Sequence, residues 1–225
     1  MPEALNTPHG WRLDLAPEAP ADLASDLLLP ALRAVPAAMA ARLGPCRIRV
    51  VSSLERPEIS SRWRRRQAET EITIAFGELD PHDIAMELLV CLGQLLWEVT
   101  RQEERAAWLE QLSREIEAGV EGEIDEQALE AKQRLLAGAA SARSRKRLQQ
   151  YACTGFAATA AEYLHCLWHD VTIRTGPEHL PAECLRARLE LLARWFPPNR
   201  GYRLFAAGEA QRGTGSAGPS EPNPA

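Results

Sequence analysis

Residues 83–98 read DIAMELLVCLGQLLWE, and the way this stretch is apolar decides the fold. Its apolar side chains fall on almost every side of a helical wheel, not on one stripe, so the pattern predicts a helix covered on most of its surface. The run from Ile84 to Trp97 contains Glu87 and Gln94, and it is shorter than the ~20 residues needed to cross a bilayer. It is a core helix. Asp80 stands ahead of it as an N-cap, with Pro81 at the first helical position.

Outward from this helix, 71–76 (EITIAF) and 47–51 (RIRVV) alternate polar with apolar residues, as half-exposed strands do. Residues 21–43 carry a helical pattern that Pro30 and Pro36 interrupt and Gly44-Pro45 ends. Downstream, amphipathic helices are expected at 101–118, 124–137 and 181–196. A long helix over 144–170 starts basic at Arg145, Lys146 and Arg147 and turns apolar from Tyr151. The expected fold is α+β and predominantly helical. A small N-terminal strand pair or short sheet packs on the central helix, followed by a helical C-terminal half. One domain is expected over 21–206, with an irregular arm at 1–20 and a disordered Gly-, Ser- and Pro-rich tail at 207–225.

Composition narrows the function. The chain has 225 residues, 45% of them hydrophobic, and a net charge of −5. That balance suits one globular domain and gives no general attraction to nucleic acid or acidic membranes. Nearly all positive charge is arginine, with lysine only at Lys132 and Lys146; a GC-rich genome accounts for the bias. The start has no basic region leading into an apolar stretch, so it does not read as a secretory signal. Cys46, Cys91, Cys153, Cys166 and Cys184 form no CxxC pair and are expected to be reduced in a cytoplasm.

Residues 90–97 (VCLGQLLW) and 154–164 (TGFAATAAEYL) carry a resemblance to the zincin metallopeptidases. In that family the buried helix holds H-E-x-x-H, often within H-E-L-G-H-x-L-W. Two imidazoles four residues apart share a zinc ion, and the glutamate between them activates its water. Here Leu92-Gly93 and Leu96-Trp97 fit the frame, while Val90 and Gln94 stand on the histidine positions and Cys91 on the glutamate. A register four residues earlier keeps Glu87 but puts Met86 and Val90 on the histidine positions. The second stretch resembles E-D-F-A-E-T-F-A-x-Y-L, which supplies a third ligand; Phe156, Ala157, Thr159, Ala161, Tyr163 and Leu164 fit, and Ala158 takes the ligand position. By element order the resemblance extends over 45–196. It implies a zincin-like fold that has lost its zinc ligands and general base, with the former metal cavity filled by side chains or by water.

Other constellations admit functional and plain readings. Glu162, His165 and His169 project from one side of a helix and form an alternative metal set, although no second segment supplies obvious partners; the plain reading is helix-end histidines. Cys91 beside His82 or His165 suggests a nucleophile, but a thiol in an apolar helix is core packing. Residues 62–66 (RWRRR) and 143–147 (RSRKR) suggest nucleic-acid contact. They are more simply a solvated loop and a helix start paired with surface carboxylates such as Glu103, Glu104, Glu115 and Glu117. Residues 176–181 read as a connector.

The sequence therefore favours a catalytically inactive metallopeptidase-like protein that works by binding, as a scaffold or regulator, with no cofactor. The expected partner is a protein, not nucleic acid or a membrane, and no feature sets the oligomeric state. The alternatives are a metal-dependent hydrolase on Glu162, His165 and His169, and a nucleic-acid-associated helical protein.

Overall fold

A computed structural model describes residues 5–56, 58–77, 79–138, 142–169 and 178–205. The chain is α+β. Strands β1 (Leu5–Asn6), β2 (Arg12–Leu15), β3 (Cys46–Val51), β4 (Ser61–Arg65) and β5 (Thr70–Ala75) form one sheet in the order β1-β2-β3-β5-β4. β2, β3 and β5 run parallel, and the edge strands β1 and β4 are antiparallel to their neighbours. A parallel step needs a long crossover. Between β2 and β3 it is a π-helical stretch (Leu23–Leu28) running into α1 (Leu29–Ala34), then α2 (Ala37–Leu43). The helices α3 (Pro81–Val99), α4 (Gln102–Glu117), α5 (Glu126–Leu136), α6 (Ala142–Trp168) and α7 (Ala182–Trp195) follow.

The sheet buries one face. Ile48, Val50, Ile72 and Ile74 are fully or almost fully buried. Alternate positions carry charge: Arg47 bonds Asp14 at 2.6 Å across β2 and β3, and Arg49 lies 3.9 Å from Glu71 across β3 and β5. The pleat thus separates an apolar face from an ionic ladder.

The described part of residues 1–20 is not an irregular arm. Leu5–Asn6 and Arg12–Leu15 extend the sheet, and Trp11 and Leu13 are buried with the core. The Trp11 indole donates to Gly44 O at 2.9 Å, so a partner over thirty residues away stabilises two strands too short to show a period of their own. The arginine-rich stretch at 62–66 is no loop either. It is mostly strand β4, at a sheet edge where charged residues are favoured because they discourage further pairing. The tail at 207–225 lies outside the described residues.

α3 is the buried helix that its composition predicts. Asp80 Oδ1 accepts from Asp83 N at 2.9 Å at its start, and Ile84, Leu88, Leu89, Leu92, Leu95 and Leu96 are buried along it. It packs on α6, whose Phe156 sits between Trp97 and Trp108 with ring centroids 5.3 and 5.5 Å away. Burial of a side chain like Phe156 contributes about 1.5–3 kcal/mol. The two helices meet most closely at Gly93, where a Cβ would stand 2.5 Å from Ala157 O and 3.0 Å from Ala157 Cα. Only glycine permits that approach. Gly93→Ala must push the helices apart, and a loss of about 1–3 kcal/mol in urea denaturation is expected; an unchanged midpoint would contradict the crossing.

Candidate functional site

Helical spacing gives each of the crossed helices one stripe facing a common space. On α3 the stripe is Glu87, Val90 and Gln94; on α6 it is Ala158, Ala161, Glu162 and His165. All of them line a cleft of about 660 Å³. The segment leading into β4 (Ile59 to Ser61) closes one side. Residues 123–127, which lead into and begin α5, close the other, with His179 and Leu185 completing the wall. Val90, Gln94 and Ala158 also border an adjoining recess of about 160 Å³.

The three positions that the resemblance marks as ligand sites are therefore brought together, although they stand on two helices more than sixty residues apart. Their side chains are a branched alkyl group, a carboxamide and a methyl group. None holds a divalent ion as imidazole or carboxylate does. Nor is Gln94 left idle: its Oε1 accepts from the Trp63 indole at 2.9 Å, which ties edge strand β4 to α3. Trp63 is thus half-buried, with its indole N–H committed to Gln94. Side chains do not fill the space, and it stays an open cleft.

Cys91 does not line the cleft. It is buried, and burial pushes its thiol up to about 12, against a smaller opposing effect of a hydrogen bond with Ser61. A thiol so held is a poor nucleophile near neutral pH. In the earlier register, Met86, Glu87 and Val90 also face the cleft, and the Ser61 hydroxyl donates to Glu87 Oε2 at 2.6 Å.

Of the alternative metal set, Glu162 and His165 line the cleft and His169 lies beyond its end, exposed. Among the described residues no three His, Cys, Asp or Glu side chains converge to hold a metal ion. His82, which sequence reasoning had set only beside Cys91, instead meets His165: their Nε2 atoms are 3.3 Å apart.

The cleft's far wall rests on a buried ionic network that the sequence reading missed. Arg188 of α7 is fully buried. Its Nε donates to both Glu115 carboxylate oxygens at 3.0 Å, and its terminal nitrogens donate to Glu123 at 2.8 Å. Lys132 Nζ lies 3.4 Å from Glu123 and donates to Gly122 O at 3.0 Å, and the Tyr151 hydroxyl also donates to Glu123. Two carboxylates face two cations, so the set is electrically balanced. Glu115 is therefore not a surface partner for the basic clusters. Neither is Glu104, which is buried against Arg42 at 2.5 Å.

Burial alone would raise the Glu123 carboxyl. Hydrogen bonds and charge from Arg188, with Tyr151 and Lys132, outweigh it and hold the group below the ordinary glutamate value. Asp125 caps α5 through Ala128 N at 2.7 Å, yet burial dominates there and raises its carboxyl. Besides Glu123, which Arg188 and Lys132 balance, six carboxylates and no lysine or arginine line the cleft among the described residues, so its field repels anions and attracts cations.

The chain matches no family model, no curated protein and no solved structure.

Because the Glu123 carboxyl is depressed in the folded state, its contribution is present above the ordinary glutamate range and is lost as pH falls through the folded value. Arg188→Met leaves two buried carboxylates without their guanidinium, and a loss of about 3–5 kcal/mol is expected near pH 7. The pH dependence also changes. The wild type keeps this contribution as pH falls from about 7 to the ordinary glutamate value of 4.5 and loses it only below that, while the variant recovers part of its loss over the same range as the stranded carboxyls protonate. Urea denaturation at both ends of that range checks this, and parallel pH profiles would contradict it.

Proposed function

We propose that this chain is a zincin-like protein without hydrolytic chemistry, which acts by receiving part of a protein partner in the cleft between α3 and α6. The observation that carries the reading is the meeting of Val90, Gln94 and Ala158 on one cleft. These are the positions that the resemblance assigns to zinc ligands, and they face the same space from separate helices. The resemblance is further supported by the glycine at the helix crossing and by the edge strand β4 beside the central helix; the strand that leads into α3, β5, lies inside the sheet and not at its edge. With no ligand set at these positions there is nothing to polarise a carbonyl or to generate hydroxide. What the cleft offers is shape, negative charge and hydrogen-bonding groups. Those are the means of a scaffold or regulatory module.

The metal-dependent hydrolase on Glu162, His165 and His169 is less well supported, since no convergent trio is formed among the described residues. Nucleic acid is disfavoured at this cleft by its carboxylates. No single helix among the described residues is long and apolar enough to cross a membrane. We place the protein in the cytoplasm, a compartment that suits its five unpaired cysteines.

Tag-free protein incubated with Zn²⁺ and a quenched fluorescent casein is expected to release no fluorescence above the zinc-only control. Zinc-dependent turnover that a chelator abolishes would overturn the proposal in favour of the hydrolase.

A further inference from the structure

His82 stands in the first turn of α3 and His165 in the last turn of α6, so the two helices bring an imidazole each to the mouth of the cleft. Their Nε2 atoms are 3.3 Å apart and their ring centroids 5.2 Å apart, edge to face. Two nitrogens bound at ~2.0–2.1 Å to one tetrahedral ion are themselves about 3.3–3.4 Å apart. The pair therefore already has the separation of two ligands on one metal.

A plain imidazole–imidazole hydrogen bond accounts for the contact less well. If His165 Nε2 accepts, its proton sits on Nδ1; if Nε2 donates, Nδ1 is a bare acceptor; in both cases that atom is buried without a hydrogen-bond partner. Glu162 Oε2 lies 3.7 Å from it, too far for a hydrogen bond but close enough for one after a small ring rotation. A histidine that ligates through Nε2 while Nδ1–H turns to a carboxylate is the usual way a protein fixes a ligating imidazole.

We propose that His82 and His165 bind a late first-row divalent ion, of the Zn²⁺, Ni²⁺ or Cu²⁺ class, with Glu162 positioning His165. Imidazole suits these ions, and two protein ligands leave the remaining positions to water. The His169 ring lies 6.0 Å from His82 and 5.8 Å from His165, within reach of the same ion after a side-chain turn. His82 precedes Val90 by eight residues, roughly 12 Å along the helix, so this site is separate from the Val90, Gln94 and Ala158 positions and does not depend on how they are read. It clamps the start of α3 to the end of α6 and so holds the cleft at a set width. Binding to the folded state alone also stabilises the fold.

Isothermal titration of the full, tag-free chain with ZnCl₂ and with NiCl₂ tests the assignment, alongside thermal melts with and without the ion. The expected result is one ion per chain and a higher melting temperature with metal. Both are lost in His82→Gln and in His165→Gln and kept in His9→Gln, while Glu162→Gln weakens binding by about 10–100-fold. Circular dichroism of the metal-free variants confirms that each is folded. Absence of binding by the wild type, or binding that survives either His82→Gln or His165→Gln, overturns the proposal.

Discussion

The backbone approach of α3 to α6 at Gly93 and Ala157 is the constraint from which the rest of the molecule follows. Helices this close cannot be rolled about their axes without collision, so the crossing sets which residues on each side of it face one another. Val90 and Gln94 on one helix and Ala158 on the other are turned into a shared space, and the aromatic stack of Trp97, Phe156 and Trp108 is turned into the core. The sheet backs α3 with its apolar face, and the Trp63 to Gln94 hydrogen bond carries the crossing's geometry out to the edge strand.

The second determinant is electrostatic. Arg188, Glu115, Glu123 and Lys132 come from four separate segments of the C-terminal half, and each would be prohibitive to bury alone. Together they form a neutral set in which Tyr151 and Gly122 supply further hydrogen bonds. Replacing the whole set with apolar side chains need not destabilise a protein, whereas removing one member does. The network therefore acts chiefly as a specifier. It fixes the segment before α5 against α7 and α6, and Glu123 and Asp125 reach the cleft from that segment.

Much of this was legible in the chain because it is written locally. The all-round apolar pattern of 83–98, the Asp80 cap, the alternation at 47–51 and 71–76 and the amphipathic runs that follow each declare themselves within one or two turns. The sequence hid what depends on distant partners. β1 and β2 are short and lie among prolines, and they are held by pairing to β3 and by the Trp11 bond to Gly44. β4 looks like a charge run because an edge strand tolerates charge. The ionic network looked like solvated surface, yet its trace was present. Arg188 shares a helical stripe with Leu185, Leu189 and Leu192, and Glu115 shares one with Trp108 and Leu112. A charge on an apolar stripe predicts a buried partner, and two such charges of opposite sign predict each other. The meeting of His82 with His165 left no such trace, since it depends on the angle between two helices.

The central proposal is that Val90, Gln94 and Ala158 stand where a zincin-like centre would hold its ligands. Its most direct test is the zinc content, by mass spectrometry, of a Val90→His, Gln94→His, Ala158→Glu variant made in the His82→Gln background and shown to be folded. The account predicts one zinc per chain in that variant and none in the His82→Gln parent. A folded variant that takes up no zinc would show that the three positions do not share a coordination sphere, and would contradict the account.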